Sequence, residues 1–275
     1  ATYTFDDRYI LTGTIRRDGS SQFAEGNKWD WFPSASLAWK VSNEAFLKDN
    51  QTVSNLKLRA GWGVTGNSSV PNNAYTSVYG TSATNWGSGQ IATNTANPDL
   101  KWEKSNQTNI GLDIGLLDNR IEITTDVYYK RTDDLLLRLS LPAYVGTTGQ
   151  GATSPPFANI GSLENKGFEF TINTINMQRK DFLWKSNFNI SMNRFKVLKL
   201  NSESGVYDQT LQQGSDVTVV TRSAVGQTLG QFYGYKVIGR FEKATDFYYK
   251  DATGTVKPTA LPEGMVIGEN GVWIG

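Results

Sequence analysis

Gln107-Thr108-Asn109-Ile110-Gly111-Leu112-Asp113-Ile114-Gly115-Leu116 is followed by Leu117-Asp118-Asn119-Arg120. The chain then continues as Ile121-Glu122-Ile123-Thr124-Thr125-Asp126-Val127-Tyr128-Tyr129. In the first run, Thr108, Ile110, Leu112, Ile114 and Leu116 alternate with Gln107, Asn109, Gly111, Asp113 and Gly115. In the second, Ile121, Ile123, Thr125, Val127 and Tyr129 keep the same rhythm. Side chains on a strand point to opposite faces in turn, so each run has one apolar and one polar face; a helix would need spacings of three and four. Leu117-Asp118-Asn119 turns the chain between them, and the two runs read as neighbouring antiparallel strands.

The alternation extends outward in both directions. It recurs at Tyr9, Leu11, Gly13 and Ile15; at Ala35, Leu37, Trp39 and Val41; and at Leu56, Leu58, Ala60, Trp62 and Val64. Beyond the hairpin it returns at Phe168, Phe170 and Ile172, and at Phe182, Trp184, Phe188 and Ile190. Seven strands are expected, at about 3–17, 33–43, 53–64, 105–117, 120–137, 161–175 and 181–194, with 195–275 mostly loop. Several reach the roughly 9–11 residues that a tilted membrane-spanning strand requires. The expected links alternate between long (17–32, 65–104, 138–160) and short (44–52, 117–119, 176–181). Outer-membrane barrels sort their connections this way, with long extracellular loops and short periplasmic turns. The fold class is therefore all-β: a section of a large antiparallel transmembrane β-barrel.

Composition narrows the function. The 275 residues include 27 basic and 26 acidic side chains, a formal charge of +1, without the basic surplus of a nucleic-acid binder. Cysteine and histidine are absent, which removes disulfides, thiolate metal sites and the commonest general base. The pairs Asp6-Asp7 and Asp133-Asp134 are sequence neighbours, which point apart on a strand, whereas glycoside hydrolysis needs two carboxylates facing one bond. No catalytic residue, metal ligand or cofactor is assigned. No stretch approaches the roughly 20 apolar residues of a membrane helix. The chain starts in a strand-like pattern at Ala1-Thr2-Tyr3-Thr4-Phe5 and stops at Gly271-Val272-Trp273-Ile274-Gly275, so both ends read as interior to a longer protein.

Six stretches in order carry a resemblance to a known family. They are Asp7-Arg8-Tyr9-Ile10-Leu11-Thr12 with Arg16-Arg17-Asp18-Gly19-Ser20-Ser21; Trp31-Phe32-Pro33-Ser34-Ala35-Ser36-Leu37-Ala38-Trp39; and Leu58-Arg59-Ala60-Gly61-Trp62-Gly63-Val64-Thr65-Gly66-Asn67. The others are Asn97-Pro98-Asp99-Leu100-Lys101-Trp102-Glu103, Asn159-Ile160-Gly161-Ser162-Leu163-Glu164-Asn165-Lys166-Gly167-Phe168-Glu169, and Gly226-Gln227-Thr228-Leu229-Gly230-Gln231-Phe232-Tyr233-Gly234-Tyr235. Together the chain resembles the SusC/RagA family of TonB-dependent outer-membrane transporters of Bacteroidetes. The resemblance implies a 22-stranded barrel plugged by a globular domain. It also implies a SusD-like surface lipoprotein as lid, energy from TonB acting through a plug domain absent from this chain, and oligosaccharide or peptide as cargo. The loop Tyr249-Lys250-Asp251-Ala252-Thr253-Gly254 is poorer in acid than the calcium-like loop the family suggests, and no metal is assigned to it.

Trp29, Trp31, Tyr79, Trp86 and Tyr144 fall in expected extracellular loops, where their ring faces could stack on sugar C–H faces. Loop packing and an interfacial belt use the same residue types. Trp39, Trp62 and Trp184 fall on the apolar face and read as lipid or belt contacts. Arg16-Arg17 reads either as a steering site for anionic substrate or lipopolysaccharide, or as a pair for nearby acids. Gly61, Gly111 and Gly115 on the polar face read as room for a plug or as strand bends. Two other classes stay open from the residues alone: a passive porin or adhesin barrel, and a soluble β-sandwich that binds carbohydrate.

Overall fold

Alternating runs become a hydrogen-bonded wall in the computed structural model. It describes residues 1–48, 50–84, 87–139, 153–200, 205–213, 216–234, 248–250, 253, 256–258, 266–267 and 273–274. Ala1–Phe232 form one unit and Tyr233–Gly275 a second. In the first unit, eight antiparallel strands make one sheet: β1 (Thr2–Phe5), β2 (Tyr9–Gly19), β3 (Trp29–Lys40), β4 (Val53–Asn67), β7 (Glu103–Leu116), β8 (Ile121–Asp133), β11 (Ser162–Arg179) and β12 (Phe182–Lys199). Shorter strands lie in the links: β5 (Tyr79–Thr84) pairs with β6 (Gly87–Ala92), and β9 (Leu136–Arg138) with β10 (Phe157–Asn159). A further sheet joins β13 (Val206–Gln213), β14 (Asp216–Ala224) and β15 (Gln231–Phe232). The second unit holds two small pairs, Tyr248–Lys250 with Val256–Pro258 and Val266–Ile267 with Trp273–Ile274.

Register, which a one-residue slip would invert, keeps the two faces chemically distinct across the wall. On one face Leu11, Leu37, Ala60, Ile110, Val127, Phe168 and Met192 stand side by side, one from each strand from β2 to β12. Directly behind them the opposite face reads Ile10, Ala38, Arg59, Gly111, Asp126, Glu169 and Ser191. Ile110 and Val127 are 61% and 57% exposed in the middle of the apolar row. A contiguous apolar row of this extent needs a covering that water does not supply. The buried core lies instead at the end of the wall where the long links emerge, as Phe23, Phe32, Val70, Ala74, Leu100, Trp102 and Leu136.

The structure departs from the sequence expectation in three places. The strand expected at 3–17 is two strands, because Asp6 and Asp7 take positive φ (51° and 50°) and fold the chain back so that Phe5 faces Tyr9. Asp tolerates that left-handed conformation better than most residues. Strict alternation of long and short links fails once: β2 and β3 run further than expected, leaving residues 20–28 as a shorter connection than residues 41–52. The stretch expected to be mostly loop contains the β13–β14 hairpin, held by the bidentate Arg222–Asp208 pair at 2.8 and 2.7 Å.

At the end with the tight turns, one carboxylate gathers three donors. Buried Glu44 accepts from the Tyr9 hydroxyl (2.7 Å), the Trp39 indole N–H (2.9 Å) and the Arg8 guanidinium (2.7 Å). Tyr9 and Trp39 stack at 6.2 Å between centroids. Trp39 therefore does more than face apolar surroundings: it ties the β2–β3 wall to the link that follows. The hydrogen bonds from Tyr9, Trp39 and Arg8 hold the Glu44 carboxyl below its ordinary value.

Two outcomes are expected of the intact protein. A spin label on a cysteine at Ile110 is broadened by oxygen dissolved in the bilayer, and one at Asn109 by an aqueous relaxation agent; aqueous broadening at both sites would refute the assignment of faces. For Glu44, the depressed carboxyl contributes stability in full above its unfolded-state pKa, and that contribution is lost as pH falls through the lower folded-state value. Glu44→Gln, which cannot pair with Arg8 as an ion, should therefore melt below wild type at neutral pH. The gap should close in acid below 4.5, the ordinary value for this carboxyl. A gap independent of pH would show that the charge of Glu44 is not what matters.

Candidate functional site

The polar face of the wall is built around an arginine that reaches across a strand. Arg59 on β4 makes a bidentate pair with Asp113 on β7 (2.9 and 3.0 Å) and extends the same guanidinium to Asp126 on β8 at 3.0 Å. Register places Gly111 directly between Arg59 and Asp126. A Cβ there would come within 2.3 Å of an Asp126 oxygen and 2.6 Å of an Arg59 nitrogen. The glycine is thus a notch that lets one cation serve two carboxylates on two strands. Gly61 and Gly115 are likewise filled, by the side chains of Asn109 and Asn119. These glycines make room for neighbouring side chains of the wall itself. Nearer the tight turns the face continues in amides, with Asn187 donating to Asn173 at 2.6 Å.

At the other end the long links lock into a rim. Trp102 packs on Phe23 and Phe32 with centroids 5.5 and 5.3 Å apart, and donates its indole N–H to the Lys28 carbonyl at 3.2 Å. Asn97 donates to the Phe157 carbonyl (2.7 Å). Asn159 donates to the carbonyls of Lys101 (2.7 Å) and Asp134 (3.0 Å) and accepts from the Lys101 amide (2.9 Å). Lys104 pairs with Asp30 at 2.7 Å and Lys101 with Asp134 at 2.8 Å. The family-like stretches beginning at Asn97 and Asn159 are therefore the joints between three links. Sequence reading quoted them as signatures and did not see their structural work, because each joint links residues far apart in the chain.

The three aromatic candidates among the described residues fall on two separate elements. Trp29 and Trp31 stand in β3, not in a loop, opposite Gly19 and Arg17, and they share the face of Leu37 and Trp39. They are 56% and 53% exposed, and the Arg17 guanidinium lies over both rings at 5.1 and 5.5 Å. The strand runs on because Trp29 can cover Gly19, whose missing Cβ would sit 2.7 Å from the indole. Tyr79 opens the exposed β5–β6 hairpin in the link from β4 to β7. Trp86 and Tyr144 lie outside the described residues. Of the two arginines, Arg16 pairs with Asp18 at 2.8 Å. Among the described residues no group of three or more acidic side chains is placed to hold a metal ion. What the polar face and rim offer chemically is hydrogen bonding by amides, hydroxyls and charged side chains, several of them ion-paired.

Comparison with known proteins fits this geometry. Residues 1–263 match the family model described as TonB dependent receptor-like, beta-barrel. The chain is 37% identical over 276 aligned residues to TonB-dependent receptor P3 of Formosa agariphila, covering 97% of this chain and 26% of that protein. It is 38% identical over 249 residues to TonB-dependent receptor SusC of Bacteroides thetaiotaomicron, covering 86% and 24%. Among solved structures, the RagAB peptide transporter superposes with a TM-score of 0.77 at 25% identity, over 94% of this chain and 28% of that one. The chain spans about a quarter of the length of the curated relatives it matches.

The notch makes a prediction. Gly111→Val should expel Arg59 from Asp126 and lower stability by about 1–3 kcal/mol, the usual consequence of leaving a charged partner unmet. Gly13→Ala, with nothing within 4 Å of the new Cβ, should change it by no more than about 0.5 kcal/mol. Thermal unfolding of the detergent-solubilised protein compares them, and equal losses would remove the notch from the account.

Proposed function

Because the chain belongs to the TonB-dependent receptor-like β-barrel family and forms part of an outer-membrane barrel, we propose that the intact protein imports oligosaccharides or peptides actively across that membrane. In this reading a SusD-like lipoprotein closes the extracellular mouth, and a plug domain couples the pore to TonB. The observation that carries the reading is the rim. Three links at the same end of the wall fasten to one another and to the wall through buried aromatics and side-chain amides, so the mouth is a preformed platform. A preformed surface loses little conformational freedom when a lid or ligand docks. The polar face supports the same reading, since its central cation, Arg59, is held by Asp113 and Asp126 within the wall and its amides can exchange hydrogen bonds with hydroxyl or peptide groups.

The aromatic candidates divide within this proposal. Trp29 and Trp31, topped by Arg17 on the lipid-facing side, serve as a belt at headgroup level, where Trp and Tyr concentrate. Tyr79, on the exposed β5–β6 hairpin of the link from β4 to β7, is the described candidate that we assign to cargo or lid.

Residues 79–92 can be excised with little strain. The flanking Val78 and Thr93 are already joined by the Thr93 amide on the Val78 carbonyl at 2.8 Å. Replacing 79–92 with Gly-Gly should leave the barrel assembled and heat-modifiable, because link backbone is solvated and tolerates deletion. Energy-dependent uptake of the cargo should fall at least tenfold. Unchanged uptake and unchanged lid capture would remove the hairpin from the site, and uptake independent of TonB in the undeleted protein would replace active import by passive diffusion.

A further inference from the structure

On the lipid-facing side the apolar band ends abruptly at one height. Along β12, Phe182, Trp184, Phe188, Ile190 and Met192 are all exposed, and Arg194 and Lys196 follow on the same face. On β11 the change falls between Phe168 and Lys166, and on β8 between Val127 and Tyr129. Register sets Lys166 between Tyr129 and Arg194, and Glu164 between Arg131 and Lys196. The charges do not cancel. Arg131 is taken by Asp133, both of whose carboxylate oxygens accept from its Nε–H (3.0 and 2.9 Å), and Lys166 is 3.4 Å from Glu164 and 5.3 Å from the Tyr129 ring centre. Among the described residues Arg194 and Lys196 have no carboxylate partner, so four cations face two acids. Below them Ile110, Val127, Phe168 and Met192 floor an open groove of about 810 Å³, with Lys166 and Arg194 at its upper edge.

We infer that this face binds a phosphorylated, multiply acylated lipid of the outer leaflet, of lipid A type, with phosphate on Arg194, Lys196 and Lys166 and acyl chains along the groove. Both halves of the site are needed to choose that occupant. A neutral lipid would leave two cations unmet at the edge of hydrocarbon, where a charge is costly unless paired or hydrated. A free phosphate would leave the apolar groove without a use. Arginine and phosphate match in geometry as well as charge, through two parallel N–H donors. The inference rests on the outer-membrane reading, with the long links outward, but not on any particular cargo.

The test is native mass spectrometry of the intact receptor, delipidated in mild detergent and then given bis-phosphorylated lipid A, or the same lipid after dephosphorylation. Wild type should retain the phosphorylated lipid at least tenfold better than the dephosphorylated one. Arg194→Gln/Lys196→Gln should lose that preference, and Arg194→Lys/Lys196→Arg should keep it. Both variants should retain heat-modifiable migration, since both side chains are exposed and bear no described contact. Equal retention by the glutamine variant, equal retention of the dephosphorylated lipid, or displacement by millimolar inorganic phosphate alone would each overturn the inference. Lipid retention is read without transport, so failure here leaves the import reading standing, and failure of uptake leaves this one standing.

Discussion

A backbone in hydrocarbon has no water to bond, and an unpaired N–H or C=O there costs several kcal/mol. Every other feature of this wall follows from meeting that demand with strands. Pairing fixes the ladder, and the ladder fixes a two-residue period, so each side chain has only two directions available. One direction must then be apolar throughout, as in the row from Leu11 to Met192. The other is released from that constraint and can carry Arg59, Asp113, Asp126 and the asparagines. Function and membrane compatibility are thus separated by parity, and neither has to yield to the other.

The links face the opposite problem. They are exposed to water, so nothing forces them to order, yet those joining β2 to β3, β4 to β7 and β8 to β11 are fixed to one another. Burial of Phe23, Leu100 and Trp102 supplies the driving force, at about 1.5–3 kcal/mol for each large apolar side chain. Burial also strips water from nearby carbonyls, and the side-chain amides of Asn97 and Asn159 replace it. Asparagine suits the task because one short side chain offers donors and an acceptor together, as Asn159 uses toward Lys101.

This division also explains what could be read from the sequence. The wall was legible at Thr108–Leu116 and Ile121–Tyr129 because parity is a local signal: two residues suffice to assign a face. Chemistry at strand ends was less so. Trp29 and Trp31 looked like loop residues because polar neighbours surround them, but pairing with Gly19 and Arg17 carries the strand on beyond its run of small and apolar residues. The β13–β14 hairpin was missed because Asp208-Gln209-Thr210 and Gln212-Gln213 break the apolar alternation along β13. The rim was invisible for a third reason. Contacts such as Trp102 to Lys28 or Asn97 to Phe157 join links that only the folded wall brings together.

Arg59 shows how much of the site depends on a residue with no side chain. Neighbouring strands lie about 4.8 Å apart, so Arg59 and Asp126 are separated by the full width of β7. An arginine can span that distance only by lying flat across the intervening strand, and any Cβ at Gly111 would lift it off. Once flat, its planar fork is held by three hydrogen bonds to two strands, which pins β4, β7 and β8 at mid-wall and fixes where the charges sit. A cation bound to two carboxylates inside the wall is a poor trap for passing ligands. In a pore proposed to move neutral sugars or peptides that is an advantage, since transport requires binding weak enough to release. The tight contacts belong at the rim and the slippery surface belongs below it, and a glycine in register with an arginine is what makes the second possible.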